Sequence, residues 1–121
     1  MLSHRTQKTR IMKDRISRVN SLMQEKIAEI LQREIFIKDV FITVQNVDVS
    51  KDLNYAKIKI SVFPFKESKK VLEILKKQSS NLQRILNEKV TIKFVPRIRF
   101  VLDRIEEKAV RVEEILRNLK G

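Results

Sequence analysis

The residues of this chain whose types and spacing could do chemistry are basic, and the chemistry they suggest is electrostatic. Arg5, Lys8, Arg10, Lys13, Arg15 and Arg18 place six bases in fourteen residues with one acid, Asp14, among them. That density is enough to track the phosphates of a nucleic acid, while the blander alternative is a solubilising tail. A second group, Lys76, Lys77 and Arg84, flanks the polar stretch Gln78-Ser79-Ser80-Asn81. If that stretch starts a helix, its backbone N–H groups and the positive end of the helix dipole suit a phosphate. A third, secondary group is Lys57, Lys59, Arg97 and Arg99, on residues that alternate as β-strands do. Charges on the outer face of a strand are more often only solubilising. Catalytic residues are lacking. His4 is the one histidine, there is no cysteine, and a single glycine leaves no phosphate-cradling glycine-rich loop. The pairs Glu106-Glu107 and Glu113-Glu114 recur at helical spacing with bases between them and read as a solvated helix face. No metal and no cofactor is expected.

The charge balance points to the same partner. The 121 residues carry 27 bases and 15 acids, a net charge of +12. Such a field favours a polyanion, either nucleic acid or an anionic membrane surface. It is also segregated: residues 1–20 and residues 66–93 each contribute +5, whereas residues 21–65 balance. A surface charged merely for solubility would be more even. The apolar runs fall far short of the roughly 20 residues that span a bilayer, and the basic start of the chain lacks the apolar stretch of a signal peptide.

Helices and strands must position these side chains. From Ile11 to Ile35, apolar residues at spacings of three and four (Ile16, Val19, Met23, Ile27, Ile30, Leu31) predict one long helix. Residues 1–10 then form a basic flexible tail, and residues 11–121 a single domain. Residues 42–63 hold two β-patterned runs joined by Ser-Lys-Asp-Leu-Asn, which is turn chemistry. The second run alternates without fault, Ala56, Ile58, Ile60 and Val62 on one face and Tyr55, Lys57, Lys59 and Ser61 on the other. In the first run the parity slips between Val44 and Val47, which predicts a β-bulge near Gln45 or Asn46. Pro64 ends the second strand. Residues 67–89 read as two helices meeting at a kink at residues 78–81, because serine and asparagine favour caps over helix interiors. Ser80 with Gln83 three positions on fits a capping box. A third strand is predicted over Thr91–Asp103, interrupted by Pro96, and a final helix over 104–120 with the stripe Ile105, Ala109, Val112, Leu116, Leu119. The helical crossover makes the second and third strands parallel. Tyr55 is the one aromatic candidate for base stacking; the six phenylalanines read as core or connector. The fold class is α+β, a three-stranded sheet covered on one face by helices.

That element order resembles the type II KH domain, a nucleic-acid-binding fold. Arg18-Val19 with Ile27-Ala28-Glu29-Ile30-Leu31, the hairpin from Val47-Asp48-Val49-Ser50-Lys51-Asp52-Leu53 through Tyr55-Ala56-Lys57, and Val95-Pro96-Arg97-Ile98-Arg99-Phe100 with Asp103 look like ribosome-binding factor A. The resemblance runs from about residue 11 to 119 and is most specific at the hairpin. It implies a non-catalytic factor that binds the immature small ribosomal subunit and assists late maturation of its RNA. It also implies a KH fold without the usual Gly-x-x-Gly loop, kinked instead at an Ala-x-Gly motif. Counted back from Pro96 without gaps, that motif falls on Gln78-Ser79-Ser80, which keeps neither the alanine nor the glycine. Asn46 stands where the family often has glycine, and asparagine tolerates unusual dihedrals.

The expected partners are therefore small-subunit ribosomal RNA and the immature subunit, with no membrane and no small-molecule substrate, and a monomer when free. The expected home is a bacterial cytoplasm, or an organelle matrix or stroma. Two rivals remain at this stage: a DNA-binding nucleoid-type protein, which the charge alone would allow, and an adaptor that pairs through its final helix.

Overall fold

A computed structural model describes the backbone of residues 2–120 and the side chains of residues 14–103, 108 and 111–119. The elements run α1 (Leu2–Glu34), β1 (Phe41–Val49), β2 (Tyr55–Phe63), a single 3-10 turn (Phe65–Glu67), α2 (Ser68–Lys77), α3 (Ser79–Lys89), β3 (Arg97–Leu102) and α4 (Arg104–Lys120). Helix α1 begins earlier than its apolar stripe does. No glycine or proline breaks the polar stretch before Ile11, so the backbone continues as helix to Leu2.

The sheet has the order β1-β2-β3, antiparallel between β1 and β2 and parallel between β2 and β3. The predicted bulge is present. Val44 pairs with Ile60 and Asn46 with Lys59, which leaves Gln45 as the extra residue. Its amide donates to the Ser61 hydroxyl at 2.9 Å, and the shift returns Val47 and Val49 to the buried face.

Helices α1, α2 and α3 cover that face. Met23, Ile27, Ile30 and Leu31 from α1, which packs chiefly on β1, share one core with Val47 and Val49 of β1 and Ala56, Ile58, Ile60 and Val62 of β2. Val71 and Leu75 from α2 and Leu82 and Leu86 from α3 complete the layer against Ile98 and Phe100 of β3. Full burial of each such side chain stabilises the fold by about 1.5–3 kcal/mol relative to exposure. The inward residue of the first turns of α2 is Val71, with Leu72 only half-buried beside it.

Helix side chains also bind the outer edges of the sheet. Asn20 of α1 accepts the Val49 amide at 3.0 Å at the end of β1. Gln83 of α3 accepts the Ile98 amide at 2.8 Å and donates to the Pro96 carbonyl at 3.1 Å at the start of β3. The side-chain amide of Gln83 thereby replaces a neighbouring strand for one residue pair.

Three expectations are corrected. The kink exists, but Ser80 does not cap it. Gln78 (φ −90°, ψ 1°) both ends α2 and begins α3, with its amide bonded to the Ile74 carbonyl at 3.0 Å and its carbonyl to the Leu82 amide at 2.9 Å. The capping box fails because Ser80 lies inside the first turn of α3, and Gln83 is engaged by β3 instead. Strand β3 begins at Arg97, not Thr91. Its partner β2 starts at Tyr55, opposite Arg97, so residues 91–96 have no strand to pair with. The phenylalanines are core or connector only in part: Phe100 is buried and Phe36, Phe65 and Phe94 lie in connecting segments, but Phe41 and Phe63 are exposed strand residues.

Candidate nucleic-acid interface

At the kink, the break between α2 and α3 turns Ser79, Ser80 and Arg84 toward the edge of β3. There they share an open cleft of about 450 Å³ with Gln83, Asn87, Arg97 and Ile98. No side chain caps the N-terminus of α3. The Arg84 guanidinium donates to Asn81 Oδ1 at 2.8 Å and to Glu88 Oε1 at 3.3 Å. Both Arg84 and Glu88 are largely exposed, so this ion pair is weak and positions the guanidinium more than it neutralises it. Asn87 accepts the Gln83 amide at 3.1 Å, and Gln83 in turn fastens the start of β3, so the two walls of the cleft are tied together. Two guanidinium groups beside two serine hydroxyls can bind a phosphate by charge-assisted hydrogen bonds.

Of the residues singled out by sequence, the cleft gathers Ser79, Ser80, Arg84 and Arg97. Lys76, Lys77 and Gln78 are exposed beside it without lining it, and Asn81 enters through its bond to Arg84. Arg15 and Arg18 are exposed on α1. The side chains of Arg5, Lys8, Arg10 and Lys13 lie outside the described residues. On the open face of the sheet the register sets Tyr55 beside Arg97 and Lys57 beside Arg99, with Lys59 beside Val101. Asp48 stands across from Lys57 on β1, and Phe41 across from Phe63 at the far end. That face is therefore more aromatic than expected.

Within the β1–β2 turn, Asp52 accepts from the Ser50 hydroxyl at 2.6 Å and from the backbone and side-chain amides of Asn54 at 3.1 Å each. These donors, the Ser50 hydroxyl foremost, hold its carboxyl below the ordinary value of 3.8. Leu53 beside it takes a left-handed backbone, φ 63°. Among the described residues, no three His, Cys, Asp or Glu side chains converge to hold a metal ion, and no helix is long and apolar enough to cross a membrane.

A family model described as ribosome-binding factor A matches residues 15–116. The chain belongs to the ribosome-binding factor A family. A ribosome-binding factor A from Chlorobium phaeobacteroides is 34% identical over 109 residues, covering 88% of this chain and 94% of its own. The crystal structure of the factor from Thermus thermophilus superposes with a TM-score of 0.64 at 22% identity, over 72% of this chain and 93% of that one. A second Thermus thermophilus structure is a homology model of the factor fitted into the cryo-EM map of a 30S complex with it. It superposes with a TM-score of 0.62 at 24% identity, over 70% of this chain and 91% of that one. These likenesses carry the KH-like fold. The kink at Gln78 is followed by Ser79-Ser80, so that Gln78-Ser79-Ser80 carries neither an alanine nor a glycine.

Two residues of the cleft, Gln83 and Asn87, are not among the binding residues that the sequence singles out: Gln83 reads there as part of a capping box, and Asn87 carries no reading. The spacing of Gln83 and Asn87, four apart on one helix face, is the signal that could have found the pair.

Proposed function

We propose that this chain is a non-catalytic assembly factor that binds small-subunit ribosomal RNA in the immature subunit and assists its late maturation. The observation that carries the reading is the kink cleft, where Arg84 of α3 and Arg97 of β3 share one opening with Ser79 and Ser80 of the first turn of α3. The mechanism is occupancy. A compact module of net charge +12 sits on a junction of immature RNA through phosphates and shape, holds one arrangement, and leaves when the mature fold displaces it. The exposed bases Arg15, Arg18, Lys76 and Lys77, with Arg5, Lys8, Arg10 and Lys13 on the preceding turns of α1, extend the phosphate track. Lys57, Lys59, Arg97 and Arg99 add positive charge on the sheet face. The 30S complex of the Thermus thermophilus factor supports the small subunit as partner, and the bacterial relatives support a bacterial cytoplasm as the place.

Co-sedimentation tests the reading. The protein should travel with free small subunits and be absent from full ribosomes. Equal distribution over both, or preference for duplex DNA over small-subunit RNA in competition, would overturn it. A second reading, self-association, rests on α4, whose residues Val112, Ile115, Leu116 and Leu119 form an exposed stripe. Sedimentation that stays monomeric as concentration rises disposes of that reading.

A further inference from the structure

Phe94 lies outside the phosphate cleft and is conspicuous for its exposure. Residues 91–96 leave α3 without a strand to pair with, and the Phe94 ring stands 77% exposed. The Lys93 ammonium lies over it, 5.6 Å from the ring centroid, which leaves the opposite face for a stacking partner. Beside the ring opens a second cleft, of about 470 Å³, between α1, the β1–β2 turn and this connector. Val19, Leu53, Ile92 and Phe94 supply its apolar lining, and Arg15 and Lys93 its positive charge. Asp52 is the one acid among its lining residues, and its oxygens already accept from Ser50 and Asn54. Leu53 contributes its side chain from a left-handed backbone that an L-residue adopts only at a cost, and the Ser50–Asn54 turn holds it there.

An apolar slot with an exposed aromatic wall and a cationic rim matches a nucleotide, whose base is flat and apolar on its faces and whose phosphate is anionic. The position matches too. Pro96 lines this cleft, and the next two residues, Arg97 and Ile98, line the one at the kink. A strand leaving the kink past Arg97 arrives at Phe94. We propose that this second cleft takes one unpaired nucleobase of the RNA strand bound at the kink, stacked on Phe94 with its flanking phosphates against Arg15 and Lys93. The inference rests on the RNA-binding reading and deepens it: the factor selects RNA with an unpaired residue at this point, as a junction not yet folded would offer.

The test uses the full chain, which contains no tryptophan, so that Phe94→Trp introduces a unique reporter. Its emission should be quenched by a short mixed-sequence single-stranded RNA and unaffected by a blunt RNA duplex of the same sequence. Phe94→Ala should weaken binding of the single strand by roughly five- to a hundredfold, with the salt dependence unchanged because no phosphate contact is lost. Phe94→Tyr should restore it. The exposure of Phe94 means that all three variants should unfold at the wild-type temperature. Unchanged affinity in Phe94→Ala, or an unquenched tryptophan in a variant that still binds the single strand, would overturn the base site and leave the kink cleft standing. Loss of small-subunit co-sedimentation in Phe94→Ala with free-RNA affinity unchanged would also overturn it, since the cleft would then be docking a protein side chain. Failure of the wild-type protein to bind either RNA would overturn the RNA-binding reading together with the base site.

Discussion

Asp52 organises the β1–β2 turn as an anion. Because its folded pKa lies below 3.8, the folded state prefers the carboxylate, and the stabilisation is complete at pH values above the unfolded value. It is lost as pH falls through the lowered folded value. Asp52→Asn should therefore reduce the thermal midpoint at neutral pH, and the gap to wild type should close as the pH drops below 3.8. Melting curves of both proteins across the acid range check this; a gap that persists into strong acid would mean that charge is irrelevant to the turn. At this scale the sequence was partly legible. Ser50, Asp52 and Asn54 announce a turn by type, since short polar side chains bond to nearby backbone. Leu53 at φ 63° gave no such warning, because leucine is among the residues least suited to that conformation. The exposure of Phe94 was equally hidden: an apolar residue at a β-alternating position looks like core until its strand partner proves absent.

Among the elements, whatever depended on local periodicity could be read. The alternation of β2, the parity slip at Gln45 and the break in helix pattern at Ser79-Ser80-Asn81 all correspond to features of the fold. What depended on a distant partner could not. Gln83 looked like the last residue of a capping box, whereas its amide reaches across to Pro96 and Ile98 of β3. The two roles predict opposite mutational patterns. Gln83→Ala leaves the half-buried Ile98 amide and Pro96 carbonyl without that partner and should cost about 1–3 kcal/mol. Ser80→Ala, at an exposed helical position that caps nothing, should stay within about 0.5 kcal/mol. Denaturant unfolding measures both. A Ser80 variant as costly as the Gln83 variant would restore the capping box and refute the strap. The length of β3 followed the same rule: Ile92 and Phe94 continue the alternation, yet pairing stops where β2 does.

For the whole molecule, charge is the property that the sequence displayed most openly and that binding should display most openly too. Engagement of about six phosphates implies a slope of log affinity against log salt concentration near −5 on duplex-like RNA. Replacing Arg84 and Arg97 together by alanine should make that slope shallower by roughly two, one unit for each lost contact. A slope unchanged in the double variant would take the kink cleft out of the binding surface. The amphipathic pattern of α4 was also plain in the sequence, but its destination was not. Lys69 of α2 meets Glu114 at 3.0 Å while Val112, Leu116 and Leu119 remain exposed. The treatment of the sheet edges reaches further than stability. A three-stranded sheet has two outer strands, and an unguarded outer strand is a template on which another chain can polymerise in cross-β fashion. Here one outer strand is dislocated by a bulge and bound by Asn20, and the other is six residues long and bound by Gln83. Both outer strands are thereby poor templates for the addition of another chain.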